Sequence, residues 1–415
     1  MVQCVMSNCN VHAIEVIDKN SDPQQACNAP AAFFDAHRRL LQRSIAERNC
    51  TIIAFKAKFS SVSSCPRQQI CTMSRRRCQK PAEFLCAATK ASAAVPLFGF
   101  APRIASGAAQ VKKVEVVTLG GGARDQETFV PEGQENIPLL LKQLLPQATF
   151  FTQAINQGIL GHYVATASIA TGVYETFNNF AAVSPQNPTV FEYFRKGLRR
   201  PANDAWVIAP SNGFNRIGES SHGEYGQGTG ARVILPKHLL WRALPAADLS
   251  QFEQLLRDNY ETPLFAPALA GNDMELHELA EILKLSVAEF SAHAKTLESA
   301  DELSVFIANR LMNELAPSML WITLHDIDVA HSGAYSLYID GIRRSDRLCA
   351  QIWKAIQSHA EYVGKTNLFI LPDFGRDSDT DAGGNGFQHH RTGDALSRTT
   401  WMLALGTWHP AECDC

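Results

Sequence analysis

The chain has 415 residues, 46% of them apolar and only 19% charged, with a formal net charge of -3. That is enough apolar material for a substantial core, and it excludes a wholly disordered protein. Without clustered Lys and Arg there is no field to hold nucleic acid, and no apolar run reaches the ~18 residues of an integral membrane span.

Eight of the eleven cysteines precede residue 90, and none falls in a paired CxxC zinc pattern or a regular disulfide framework. Residues 1–72 lack sustained apolar periodicity apart from a helix-like stretch over 31–48 and a strand-like TIIAFKA at 51–57. From Met73 the sequence reads as an export signal: Arg75, Arg76 and Arg77, then an Ala-rich, weakly apolar middle, then small residues at Ala91-Ser92-Ala93 and Ala105-Ser106-Gly107. Ser74-Arg75-Arg76 with Lys80 resembles the bacterial twin-arginine signal, although Cys78 and Gln79 stand where Phe and Leu are usual. The expectation is therefore that 1–72 is a non-native or disordered extension, that translation starts at Met73, and that 73–110 directs a periplasmic or secreted protein.

From Val111 the pattern becomes α/β. VKKVEVVTLGGGAR (111–124) predicts a strand entering a glycine turn, and 137–155 a helix followed by a strand. Helices are predicted over 162–174 and 187–198, and a strand at 204–211. This alternation predicts βαβ units, hence a mostly parallel sheet with helices on both faces. Residues 212–318, which begin in a Gly-rich loop and continue through helical text at 248–260 and 275–316, read as a helical cap or insertion. Strands return at SMLWITL (318–324), KTNLFILP (365–372) and TTWMLALG (399–406), with a helix over 335–359. The domain is thus expected over 111–406, with 407–415 a tail.

Open parallel sheets hold ligands beyond the carboxyl ends of their strands. Two of these ends are acidic: His325, Asp326, Asp328 and His331 follow one strand, and Asp373, Asp377 and Asp379 follow the next. His389 and His390 lie on a later loop. Carboxylates mixed with imidazoles suit zinc, with manganese or iron as alternatives, and such an ion polarises ester oxygens. The ordinary alternative is a set of solvated loop ends, helix caps and surface histidines. No HExxH, GxSxG or P-loop pattern occurs.

SIATGVYETFNNF (168–180), PTVFEYFRK (188–196), HDIDVAHSGAY (325–335), TNLFILPDFGRD (366–377) and the His-bearing loop before TWMLALG together resemble the alkaline phosphatase-like superfamily of phosphodiesterases, sulfatases and phosphoglycerate mutases. The resemblance spans roughly 111–406. It implies one metal held by Asp328, His331 and either His389 or His390, with Asp326 a substitute because the family's Asp-to-His gap is usually four residues. The family's second metal uses an Asp at the end of the first strand, a Ser or Thr nucleophile and an Asp-His pair. Here Gly120-Gly121-Gly122 and Phe374 stand in two of those places, and Asp373 alone remains. His162 falls near the nucleophile position, with Thr166 and Ser168 as neighbouring hydroxyls. Arg124, Asp125 and Glu127 offer a replacement carboxylate or an anion-binding guanidinium, and His222 and Glu224 a lining for the mouth of the site. The family usually continues beyond Gly406, which suggests a shortened C-terminus.

The functional expectation is an exported metal-dependent hydrolase of small phosphate or sulfate esters, with Asp373 holding a second ion weakly or acting as base. The alternatives are a non-catalytic, metal-containing relative that binds an anionic glycan or similar ligand, and an inactive, degenerate or truncated member.

Overall fold

A computed structural model describes residues 113–180, 183–210, 214–225, 227–243, 274–377 and 386–406, together with two paired dipeptides, Val2–Gln3 and Lys56–Ala57. All belong to one compact unit. The export-signal text at 73–110, the helices expected over 31–48 and 248–260, Asp379 and the 407–415 tail lie outside the described residues.

The strands are β1 (Lys113–Leu119), β2 (Ala148–Ile155), β3 (Ala205–Ile208), β4 (Arg232–Ile234), β5 (Met319–Leu324), β6 (Thr366–Pro372) and β7 (Thr399–Gly406). They form one seven-stranded sheet in the order β2-β7-β6-β1-β5-β3-β4. Every pairing from β6 to β4 is parallel, whereas β7 runs antiparallel to both β6 and β2. The expected mostly parallel α/β sheet is present, with one reversed strand.

The helices are α1 (His162–Thr171), α2 (Val190–Gly197), α3 (Pro236–Ala243), α4 (Leu276–Ile282), α5 (Val287–Ala294), α6 (Ala300–Glu314) and α7 (Tyr335–Ser358). They cover both faces of the sheet. On β1, Val117 and Leu119 enter a large core with residues of α4 to α7, while Val114 and Val116 enter a smaller one with Tyr163, Val164 and Phe191 of α1 and α2. Burial from both sides explains why β5 is apolar nearly throughout instead of alternating, and why every residue of β1 is buried, Lys113, Glu115 and Thr118 included. Each fully buried Leu or Ile there contributes roughly 1.5–3 kcal/mol. In α7, Tyr338, Ile342, Ser345, Cys349, Ile352 and Ile356 recur at three- and four-residue spacing, so one stripe faces the core.

Helix starts follow local chemistry. Thr189 with Glu192 and Ser286 with Glu289 form reciprocal capping boxes on α2 and α5. The 212–318 region, expected as a cap, supplies the edge strand β4, and its helices α4 to α6 pack into the large core. A three-residue strand carries too little alternation to be read from sequence.

Candidate metal centre

The strand order sets β6, β1 and β5 side by side, so their carboxyl ends form one ledge. Gly120 N donates to Leu324 O at 2.7 Å, Asp373 N to Leu119 O at 3.0 Å and Gly122 N to Phe374 O at 3.1 Å, which ties the three ends together. Neither Gly120 nor Gly121 has room for a side chain. A Cβ on Gly120 would overlap the His325 ring, and one on Gly121, whose φ is +65°, would collide with the Arg376 guanidinium and lie 2.7 Å from Asp328 Oδ1.

Beyond β5 the chain enters a 3₁₀ helix, Asp326–Ser332. Residues three apart eclipse one another in a 3₁₀ helix, which is why an Asp-to-His gap of three suffices here. Asp328 Oδ1 lies 3.1 Å from His331 Nε2 and 3.8 Å from His390 Nε2, and the two imidazole Nε2 atoms face each other at 2.8 Å. The His390 loop is held by Asp377 N donating to His389 O at 3.0 Å and by Arg391 Nε on Asp377 Oδ2 at 2.7 Å. Buried Asp301 accepts from His325 N and Asp326 N, all at 2.8 Å, and so fixes the entry to the 3₁₀ helix.

His162, the first residue of α1, fills the angle between the acids. Its Nδ1 is 2.8 Å from Asp373 Oδ2 and its Nε2 3.2 Å from Asp328 Oδ2. Phe374 stacks on the ring at 4.9 Å, and His325 meets it edge-on at 4.4 Å. Burial opposes a charge on His162, but the flanking carboxylates outweigh it and push its pKa up to about 10. Burial holds Asp373 above the usual carboxylate range despite His162. For Asp328, His162 and the other neighbouring imidazoles overcome burial and hold the carboxyl well below that range. His390 is held well below the usual histidine value by burial and by the neighbouring His162.

One ligand atom from each of His162, Asp328, His331 and His390 lies within 4.8 Å of all the others. Donors about 2.0–2.1 Å from a shared tetrahedral ion sit roughly 3.3 Å apart, which the Asp328, His331 and His390 separations bracket. Those three residues fit zinc. His162 stands with them in the set of four, its ring lying between two carboxylates with Nδ1 on Asp373 Oδ2 and Nε2 toward Asp328 Oδ2.

The structure does not bring the remaining candidates to this point. Asp326 turns to Arg344, with Oδ2 3.0 Å from Nη1. The His389 ring is 6.4 Å from that of His331, while His390 supplies the donor. Ser168 Oγ donates to Val164 O at 2.7 Å and accepts from Glu175 N at 2.9 Å, and Thr166 is fully buried in α1. Asp373 contacts His162, Gly121 N and Phe374 N instead of the donor trio. Arg124 pairs with Glu127, which Tyr338 also contacts, so these residues brace α7. Asp125 belongs to the short 3₁₀ turn Asp125–Glu127, and Glu224 N bonds His222 Nδ1 within their own loop.

Sequence reasoning missed Arg376. Its guanidinium is completely buried, with Nη2 3.0 Å from Asp328 Oδ1 and 2.9 Å from Gly121 O, Nε 3.2 Å from Gly122 O and Nη1 3.2 Å from Phe387 O. The glycine run was the available signal, since it leaves space that another group must fill.

No protein-family model and no curated protein matches the sequence. Solved structures do resemble the fold. The lipoteichoic acid synthase LtaP from Listeria monocytogenes is similar at 11% identity and a TM-score of 0.43, over 73% of this chain and 68% of that one. A second likeness is to one solved protein in the alkaline phosphatase superfamily. That structure, from Vibrio parahaemolyticus, is 12% identical with a TM-score of 0.39, over 71% of this chain and only 60% of its own length. The zinc complex of the C-terminal periplasmic domain of EcEptC from Escherichia coli is 11% identical with a TM-score of 0.36, over 71% and 73% of the two chains. Among the described residues, no helix is long and apolar enough to cross a membrane.

Proposed function

We propose that the protein is an exported, metal-dependent hydrolase of phosphate or sulfate esters in which water, not a side-chain hydroxyl, attacks. The observation that carries this reading is the convergence of Asp328, His331 and His390 at the carboxyl edge of a parallel sheet, where α/β folds bind ligands. The export part rests on the basic and Ala-rich text of 73–110.

Asp328, His331 and His390 would hold the ion. A divalent metal bound there supplies Lewis acidity, which polarises an ester oxygen and acidifies water. The rest falls to the chain itself. Arg376 fixes Asp328 Oδ1, and Asp373 Oδ2 orients the His162 ring through Nδ1. His331, 13% exposed against 4% for Asp328, marks the side from which a ligand enters. Neither Ser168, engaged inside its own helix, nor buried Thr166 is set to attack.

A second reading, a non-catalytic relative that binds an anionic ligand through its metal, draws on one observation. Gly121 N, Phe374 N and His162 already engage the Asp373 carboxylate, which would otherwise serve as base. Zinc- or manganese-loaded protein assayed on chromogenic phosphate and sulfate esters separates the two. Turnover that disappears in Asp328→Asn but survives in Thr166→Val and Ser168→Ala is the expected result. A loaded protein inert to the whole panel favours the binding reading, and loss of turnover in a folded Ser168→Ala variant rules out direct attack by water.

A further inference from the structure

Beside Asp373, where the sequence resemblance implies a second metal position, other groups of the chain lie. With no side chain at residue 120, the His325 ring lies against the backbone there. With none at 121, the Arg376 guanidinium lies there. His162 occupies the gap between the two carboxylates, and Phe374 closes its open face.

We infer that the centre is mononuclear by construction: Arg376, a cation fixed to the chain, takes the place of a second ion and positions the ligand Asp328, while His162 and His325 fill the remaining volume. The inference rests on the metal-centre reading above.

Two observations carry it, the first being space. Each carboxylate oxygen of Asp373 accepts a hydrogen bond at 2.8–2.9 Å, from Gly121 N and Phe374 N on one side and His162 Nδ1 on the other, so both oxygens are engaged within the chain. The second is charge. Asp328 and Asp373 are the two carboxylates of this corner, and the guanidinium is permanently charged. Even with His162 counted as neutral, one divalent ion plus Arg376 exceeds the two carboxylates by one positive charge, and a second ion would raise the excess to three. In a region where Arg376 is wholly buried, such an imbalance is heavily penalised. Arg376 is also immobile, since Gly121 O, Gly122 O and Phe387 O hold its N–H groups and the remaining contact falls on Asp328. That geometry orients the Asp328 carboxylate as an outer partner orients a ligand.

The test is zinc titration of the full chain by equilibrium dialysis with elemental analysis. One ion per chain is expected. Two would overturn this inference and leave the metal centre standing, whereas none would overturn both. Arg376→Gln should weaken zinc binding about 10- to 100-fold, with Arg376→Lys recovering part of the loss. Unchanged affinity in a folded Arg376→Gln protein, verified by its thermal transition, would overturn the positioning role. Phe374→His returns an imidazole next to Asp373 and does not depend on how the Arg376 variants fold. It should still bind one ion, and a second ion in that variant would overturn the filled-space argument.

Discussion

The two sides of the ledge treat their carboxylates differently. Asp328 stands with His331 and His390 toward the exposed side, where their donor atoms converge. Asp373, two strands away across β1, is enclosed by His162, Gly121 N and Phe374 N. Both are buried, and each is stabilised by a different device: the first by imidazoles and a guanidinium, the second by backbone amides and one imidazole. The contrast teaches that buried acids at strand ends need not share a function. What decides is whether their neighbours leave lone pairs converging on a point or consume them.

The comparison breaks most readily at Asp328. Asp328→Ala should abolish zinc binding and leave the Arg376 guanidinium buried without its anion, at a cost of about 3–5 kcal/mol in chemical denaturation of the apoprotein. A folded variant that still holds stoichiometric zinc would remove Asp328 from the centre.

A third buried acid gives the control that the first two lack. Glu115 in β1 is fully buried, and neither of its carboxylate oxygens has a hydrogen-bond partner. Burial, only partly opposed by Lys113, pushes its pKa from 4.5 up to about 8. The folded state therefore binds the proton more tightly than the unfolded state. This group costs nothing below about pH 4.5, and it lowers stability by up to about 1.4 kcal/mol per pH unit from there to about pH 8. Stability measured by denaturant at pH 5 and pH 8 should fall more steeply for the wild type than for Glu115→Gln, in which this slope is absent. Equal slopes would mean that Glu115 finds a partner in solution.

The smallest expected effect sharpens the donor assignment. His390→Ala should weaken zinc binding on the order of 100-fold or more, while His389→Ala should change it by less than about threefold. Calorimetric zinc titration of the two variants distinguishes them, and the reverse order would move the ligand to His389.

Much of the architecture was legible in the sequence. β5 and β6 are apolar runs bounded by polar clusters, β1 is a Val-rich run entering a glycine turn, and α7 shows a clear helical stripe. The reversal of β7 was not readable, because strand direction depends on pairing partners and an eight-residue run looks alike either way. At the site, Asp328, His331 and the His389–His390 pair were visible as metal-type residues following strands. The choice of His390 and the diversion of Asp326 to Arg344 are tertiary outcomes that no local spacing encodes. Arg376 escaped because GRDSD has the text of a solvated loop, whereas its burial depends on two glycines, Gly121 and Gly122, more than 250 residues earlier in the chain. The three-residue Asp-to-His gap is explained by the 3₁₀ geometry that carries it.

The facing pair His331 and His390 also has a mechanical consequence, since the two residues lie 59 positions apart in the chain. An ion gripping both would staple the loop ahead of the reversed strand to the tip of β5 and close everything between them into a ring. Closing a ring of that length removes freedom from the unfolded chain in the way a covalent crosslink does. Such an ion would then serve as a rivet for the β2-β7 edge of the sheet.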